Sequence, residues 1–281
     1  MTNHKLEHRF PSSCGQIAYG SDGDGSIDVV LVHGTPANSI VWRPVIERLK
    51  SAYRFHYFDL PGFGASEKFE GQEVRLRAFA RVLRELIAHL GLDRPHLVGH
   101  DFGAATVLGA ILVEHVAAAS VAIADGVVLN PWGTPYSLHV KRHEQVFAAV
   151  PDHIHRATLT AHLSTAVHRP MPPETETALI APWLGEHGRK AYYRQVAQYD
   201  HDYTARLETL YATMDIPALI LWGEADRWVD IAEGRRLQTR IRQAKMETIA
   251  DAGHFSMIDC PGRFAALLHD WLGSAPALNA A

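Results

Sequence analysis

The residue with the most chemical content is Asp101, at the centre of Gly99-His100-Asp101-Phe102-Gly103 and directly after Leu97-Val98. A short apolar run, a glycine, one prominent side chain and a second glycine before a small apolar stretch describe a strand turning sharply into a helix. Such a turn presents its central side chain at a helix N-terminus, where the dipole and the free N–H groups favour an anion. Two further motifs follow in chain order. Leu221-Trp222-Gly223-Glu224-Ala225-Asp226 puts a carboxylate just beyond a strand, and Asp251-Ala252-Gly253-His254-Phe255 puts a histidine in the loop after the next one. Nucleophile, acid, histidine is a chain order in which a catalytic triad is assembled. In it His254 moves protons, while Asp226 holds the imidazole tautomer and stabilises its cation. Asp125, which ends the run Ala122-Ile123-Ala124, is the alternative acid.

His33-Gly34-Thr35-Pro36 lies directly after another apolar run. The backbone N–H groups of Thr35 and Phe102 are the expected oxyanion hole, since both follow strand ends next to the nucleophile. Asp59–Ser66 (DLPGFGAS) reads as a structural turn. A carboxylate nucleophile narrows the reaction. Attack on an ordinary ester would give a reactive anhydride, whereas displacement at saturated carbon gives an alkyl ester of Asp101. His254 would then deprotonate the water that hydrolyses this ester, with the oxyanion hole holding the developing charge.

The elements that must position these groups are legible as pattern. Apolar, β-branched runs at Val29–Val32, Arg54–Phe58, Leu97-Val98, Ser120–Ala124 and Ala218–Trp222 read as buried parallel strands, and Met246–Ala250 as the strand before the His254 loop. Between them, helical spacing predicts helices over Glu73–Leu90, Phe102–His115, Ile231–Ile241 and Phe264–Leu272. The alternation predicts an α/β fold, a doubly wound and mostly parallel sheet. The rhythm breaks across 130–214, a segment rich in Pro, His and Tyr with helical stretches at Leu138–Phe147, His153–Ala166 and Lys190–Gln198. A structureless stretch of that length is improbable inside a compact domain. The segment is therefore expected to be an inserted helical cap, with 1–129 and 215–281 forming the core and 273–281 a frayed tail.

Composition excludes several classes. The 281 residues carry a formal net charge of −4, with no basic stripe and no apolar run long enough to span a membrane, so neither nucleic acid nor membrane is an expected partner. The polar N-terminus MTNHKLEHRF lacks a signal-peptide core, and two cysteines make no disulfide framework, which predicts a soluble cytoplasmic chain. The 18 histidines include the close pair His153/His155 and the run Asp200-His201-Asp202, but no metal-ligand spacing, so neither metal nor cofactor is expected.

Together, HGTP-x5-WRPV, DLPGFGASEK, GHDFG, WGEADRW and AGHF resemble the branch of the α/β-hydrolase family that holds epoxide hydrolases and haloalkane or haloacetate dehalogenases. The resemblance covers roughly 25–130 and 215–272. It implies a small apolar organic substrate, water as co-substrate, and a leaving group received from the cap. Haloalkane dehalogenases of this type cradle halide with a Trp after the nucleophile and often an Asn in the first turn. Here those places hold Phe102 and Thr35. Haloacetate dehalogenases carry arginines at the elbow, where this chain has Phe102, Ala104 and Ala105. Epoxide hydrolases protonate the ring oxygen with cap tyrosines, for which Tyr192, Tyr193, Tyr199 and Tyr203 are available, with His153 or His155 in place of an early-cap tyrosine. This reading gives epoxide opening a slight preference over dehalogenation. A degenerate hydrolase fold with a ligand-binding or non-hydrolytic role is the reading from a different class.

Overall fold

The computed structural model describes residues 4–274. Eight strands run β1 His8–Ser12, β2 Gly15–Asp22, β3 Ile27–Val32, β4 Tyr53–Phe58, β5 His96–His100, β6 Ser120–Ala124, β7 Ala218–Gly223 and β8 Ala244–Ile249. They form one sheet in the order β1-β2-β4-β3-β5-β6-β7-β8. β1 pairs antiparallel with β2 and β2 with β4, and every later pairing is parallel. Twelve α-helices accompany them among the described residues. In the core these are α1 Arg43–Leu49, α2 Leu76–His89 and α3 Phe102–Leu112; between β6 and β7 come α4 Pro135–Arg142, α5 Glu144–Ala148, α6 Asp152–Ser164, α7 Pro173–Ile180, α8 Gly185–Ala197 and α9 His201–Glu208; then follow α10 Ile231–Arg240, α11 Ser256–Asp259 and α12 Pro261–Ser274. α1 packs against α12 and α2 against α3, giving the helical layers of a doubly wound α/β fold.

The central strands are buried on both faces. Val29 to Val32 and Ala218 to Trp222 are all essentially inaccessible, which is why they read as unbroken apolar runs rather than alternating ones. Each Val, Leu or Ile side chain among them contributes about 1.5–3 kcal/mol relative to an exposed one. The strand C-termini lie along one sheet edge, where the turns at His33, Asp101, Asp125 and Asp226 open. In an open α/β sheet this edge is where ligand crevices form.

Several helices differ from pattern in instructive ways. α2 begins at Leu76 rather than Glu73, because residues 72–74 are held instead by Gln198: Val74 N donates to its Oε1 (3.0 Å) and its Nε2 donates to Gln72 O (2.9 Å). α3 stops at Leu112, ahead of a left-handed His115 (φ 57°), with Glu114 N and Val116 N bonding back to Gly109 O and Ala110 O. The helix predicted over Leu138–Phe147 is two helices, interrupted at His143 (φ −131°, ψ 34°). The first starts earlier because Thr134 caps it and Pro135 occupies its first turn. Sequence pattern did not reveal the β1–β2 hairpin, α1, α7, α9 or α11. Of the predicted tail, Gly273 and Ser274 close α12 and the remainder lies outside the described residues.

Candidate active site

Asp101 stands at φ 53°, ψ −115°, a conformation that costs a non-glycine residue about 1–3 kcal/mol and persists only when its surroundings over-determine it. Those surroundings are close. A Cβ on Gly103 would lie 2.1 Å from Val32 O, and one on Gly34 would lie 2.3 Å from Asp101 Oδ1. Only glycine at these positions lets α3 and the turn after β3 approach the elbow. The backbone is further pinned by Asp101 N donating to Ala124 O (3.1 Å) and by Val127 N donating to Asp101 O (3.2 Å).

The carboxylate is buried and has two distinct ends. Oδ1 accepts the Thr35 N–H at 2.6 Å, and Oδ2 lies 3.4 Å from His254 Nε2. Phe102 opens α3, so its N–H is one of the donors a helix start leaves unpaired. Of the two donors expected from sequence, the Thr35 N–H is in contact with the Asp101 carboxyl.

His254 is fully buried, and its Nδ1 lies 2.9 Å from Asp226 Oδ2. The other Asp226 oxygen accepts from Trp228 N (2.8 Å) and Val229 N (3.0 Å), which fixes the plane of the carboxylate facing the imidazole. Burial opposes the His254 charge, but the Asp226 and Asp101 carboxylates more than offset it and hold the imidazole well above its ordinary pKa. His100, within the elbow motif, donates from Nε2 to the His254 carbonyl (2.8 Å) and so ties the histidine loop to β5. Its own imidazole is pushed well below its ordinary pKa, by burial first and then by His254.

Asp125, the alternative acid, makes different contacts. Its Oδ1 accepts from Gly223 N (2.7 Å) and its Oδ2 from Ser256 Oγ (2.5 Å), joining β6, β7 and α11 beneath the site. Burial, and next the Asp226 charge, push its carboxyl well above the usual range. The DLPGFGAS loop likewise binds neighbouring turns together. Asp59 accepts from Ser39 N (2.8 Å) and Ala65 N (2.7 Å), and His33 Nε2 accepts from Leu60 N (2.9 Å).

The cavity above Asp101 is lined chiefly by Pro36, Phe102, Val127, Trp132, Trp228 and Val229, with Thr134, Ser137, His162, Tyr192 and Tyr199 supplying polar atoms. No lysine or arginine lines it. Of the inserted-segment residues singled out from sequence, Tyr192 and Tyr199 reach this cavity. Tyr192 projects from α8, whereas Tyr199 stands just beyond its C-terminal cap at Gln198. Burial raises both phenol pKa values, with the Asp101 charge adding to the effect at Tyr199, so both stay protonated. Tyr193 and His155 do not line it. They bond each other (2.9 Å), and His155 Nε2 donates to Trp183 O (2.9 Å). His153 is exposed. Tyr203 packs against α3, where a Cβ on Gly109 would meet its hydroxyl. Sequence reading missed His162, Ser137 and Trp228. The last follows Asp226 by two residues in WGEADRW, and that proximity was the available signal. Among the described residues no group of three or more metal-ligating side chains is clustered, and no helix is long and apolar enough to cross a membrane.

This sheet and elbow define an α/β-hydrolase fold. The family model described as the alpha/beta hydrolase family matches residues 29–267, and the chain belongs to that family. It is 31% identical over 281 residues to haloalkane dehalogenase 2 from Mycobacterium tuberculosis, covering 94% of each chain. Among solved structures it is similar to an alpha/beta hydrolase fold protein from Burkholderia ambifaria, with a TM-score of 0.90 and 35% identity over 95% of this chain and 98% of that one. The haloalkane dehalogenase DatA from Agrobacterium tumefaciens shares the fold, with a TM-score of 0.81 and 24% identity over 96% of each chain. The protein is an α/β-hydrolase enzyme.

Proposed function

We propose that the protein hydrolyses a neutral, largely apolar substrate at a saturated carbon through an alkyl ester of Asp101. The observation that carries this reading is the two-ended carboxylate, with one oxygen on the Thr35 N–H and the other facing His254. Oδ1 is held where an oxyanion would be stabilised, so Oδ2 is the attacking atom. Its lone pair forms the new bond to carbon as the carbon–leaving-group bond breaks. In the second step His254 takes a proton from water, the water oxygen adds to Asp101 Cγ, and the N–H groups of Thr35 and Phe102 hold the charge on Oδ1. Collapse breaks the bond between Cγ and the ester oxygen; the departing alkoxide takes the second proton of the added water, so the alcohol is released and the carboxylate restored. The absence of any lining lysine or arginine argues for a substrate without negative charge.

The leaving group best served by the cavity is an epoxide oxygen. Indole N–H donors near the site are engaged elsewhere: Trp132 donates to Thr204 Oγ1 (2.9 Å), Trp183 to Pro36 O (2.7 Å) and Trp228 to Thr165 Oγ1 (2.8 Å). Tyr192 and Tyr199 present protonated phenols, and a phenol gives an opening alkoxide the proton it needs. The second reading is haloalkane dehalogenation, favoured by the relative of that name at 31% identity; the same phenols would then hydrogen-bond the departing halide. In both readings residues 130–214 act as a cap over a core of 1–129 and 215–281, and the cap sets substrate choice. Assays with aryl epoxides, 1-haloalkanes and aryl esters separate these classes. A single turnover in ¹⁸O-water is expected to place the label in Asp101 rather than in the product. Label found in product alone, or ester hydrolysis surviving Asp101→Ala, overturns the covalent route.

A further inference from the structure

Trp228 touches both the paired catalytic groups and the inserted helical segment. Its backbone N–H holds Asp226 Oδ1 (2.8 Å), and its indole lies against the His254 ring with centroids 5.0 Å apart and planes at 33°. On the side of the inserted segment, the same indole stacks on His162 at 4.3 Å and 13°, and its Nε1 donates to Thr165 Oγ1 (2.8 Å). The contact continues nearby, where Phe255 N donates to Ala166 O (3.1 Å). A single side chain therefore packs on the proton-carrying imidazole while being held in place by α6 and the residue after it.

We propose that Trp228 is a positioning residue whose indole face stabilises the His254 imidazolium, and that its attachment to His162 and Thr165 makes the seating of the inserted segment part of that stabilisation. An aromatic face attracts a neighbouring cation, most strongly where water is excluded, and His254 is fully buried. The other groups facing His254 are the Asp226 and Asp101 carboxylates, Asp125 below them and the His100 ring at 4.8 Å. None of these comes from the inserted segment; its His162 is coupled to His254 through charge, and Trp228 carries the packing contact between them. His162, the indole's other aromatic neighbour in this stack, is held neutral: burial first, then His254, lowers its pKa to about 4. It packs on the indole without adding a competing charge. The proposal rests on the assignment of His254 as the proton carrier.

The test reads the His254 imidazole directly by NMR titration, assigned by its loss in His254→Gln. Trp228→Leu is expected to lower the imidazole pKa by about one pH unit, and Trp228→Phe by less because a ring face remains. Thr165→Val is expected to shift it in the same direction in wild type and to have no further effect in Trp228→Leu. Because Trp228→Leu could unfold the chain, uniform replacement of tryptophan by a fluorinated tryptophan provides an isosteric control. It weakens the ring's negative face without changing its shape, and should lower the His254 pKa in wild type but not in Trp228→Phe. An unchanged His254 pKa in folded Trp228→Leu, or in the fluorinated protein, overturns the proposal. A wild-type protein inert toward epoxides and haloalkanes alike would remove the reaction assigned above and leave the pKa result standing.

Discussion

Replacing His254 with glutamine separates the two chemical steps and also distinguishes the two leaving groups. The first step depends on Asp101, whose Oδ1 keeps the Thr35 N–H at 2.6 Å; the substitution removes only the 3.4 Å contact of Oδ2. Alkylation should therefore be slowed modestly. The second step loses its general base, a loss of about 10²–10⁴ in rate, or about 3–5 kcal/mol in barrier height. With hydrolysis slowed by much more than alkylation, the ester should accumulate until most of the enzyme is modified. The assay is intact-protein mass spectrometry after incubation, followed by digestion to locate the added mass on the peptide containing Asp101. Opening an epoxide expels nothing, so the adduct carries the whole mass of the substrate. A haloalkane loses its halide, so the adduct carries only the alkyl group. Absence of any adduct on that peptide, with a substrate the parent enzyme turns over, refutes the covalent ester for both readings.

The remaining predictions test the neighbouring groups. Asp226→Asn should reduce turnover by about 10⁴-fold: Trp228 N and Val229 N keep the amide oxygen, the amide N–H₂ turns toward His254 Nδ1, and the imidazole proton is forced onto Nε2. Asp125→Asn, whose amide can still serve Gly223 N and Ser256 Oγ, should stay within about threefold of parental activity. The folded pKa of Asp125 is raised, so its contribution to stability is complete below the unfolded value of about 3.9 and is lost as pH rises through the folded one. Urea denaturation from pH 3 upward should show that loss in the parent and not in Asp125→Asn. Tyr192→Phe and Tyr199→Phe should each lower epoxide kcat by about 10²-fold or more if the phenol is the proton donor, and leave denaturation midpoints nearly unchanged. Finally, the pKa governing single-turnover hydrolysis of the ester should fall below that of His254 in the free enzyme, because esterification removes the Asp101 charge; equal values would contradict the coupling.

How much of this was legible in the sequence follows from how local each determinant is. Asp101, Asp226 and His254 sit one, three and five residues beyond the ends of β5, β7 and β8. β5 and β7 are buried apolar runs, so the elbow and the acid came with their elements, and the histidine followed from its place in the loop after the next strand. β1 did not, because HRFPS is a partly exposed edge strand containing proline and has no apolar run to betray it. The lining of the cavity was harder still. Tyr192, Tyr193 and Tyr199 are equivalent in sequence; the orientation of α8 separates Tyr192, which lines the cavity, from Tyr193, which bonds His155, and the turn after α8 brings Tyr199 to the same cavity. The start of α2 depended on Gln198, more than a hundred residues away. Contacts of that kind have no local signature, and they decide which side chains meet a substrate.

Under the mechanism proposed above, the geometry also accounts for how one histidine is held as a cation and still acts as a base. In the free enzyme two carboxylates flank the imidazole and outweigh the cost of burying its charge. Alkylation would turn Asp101 into a neutral ester, which removes one of the two, the carboxylate that faces Nε2. The imidazole is then favoured as a cation by Asp226 alone while it remains fully buried, and its pKa must fall. Formation of the intermediate thus creates the base that destroys it. Without the Asp101 charge no such change would occur: a neutral nucleophile in the same elbow would leave His254 with a single carboxylate before and after attack. In the proposed mechanism the carboxylate at position 101 would therefore supply both the attacking oxygen and the switch in histidine charge that the second step requires.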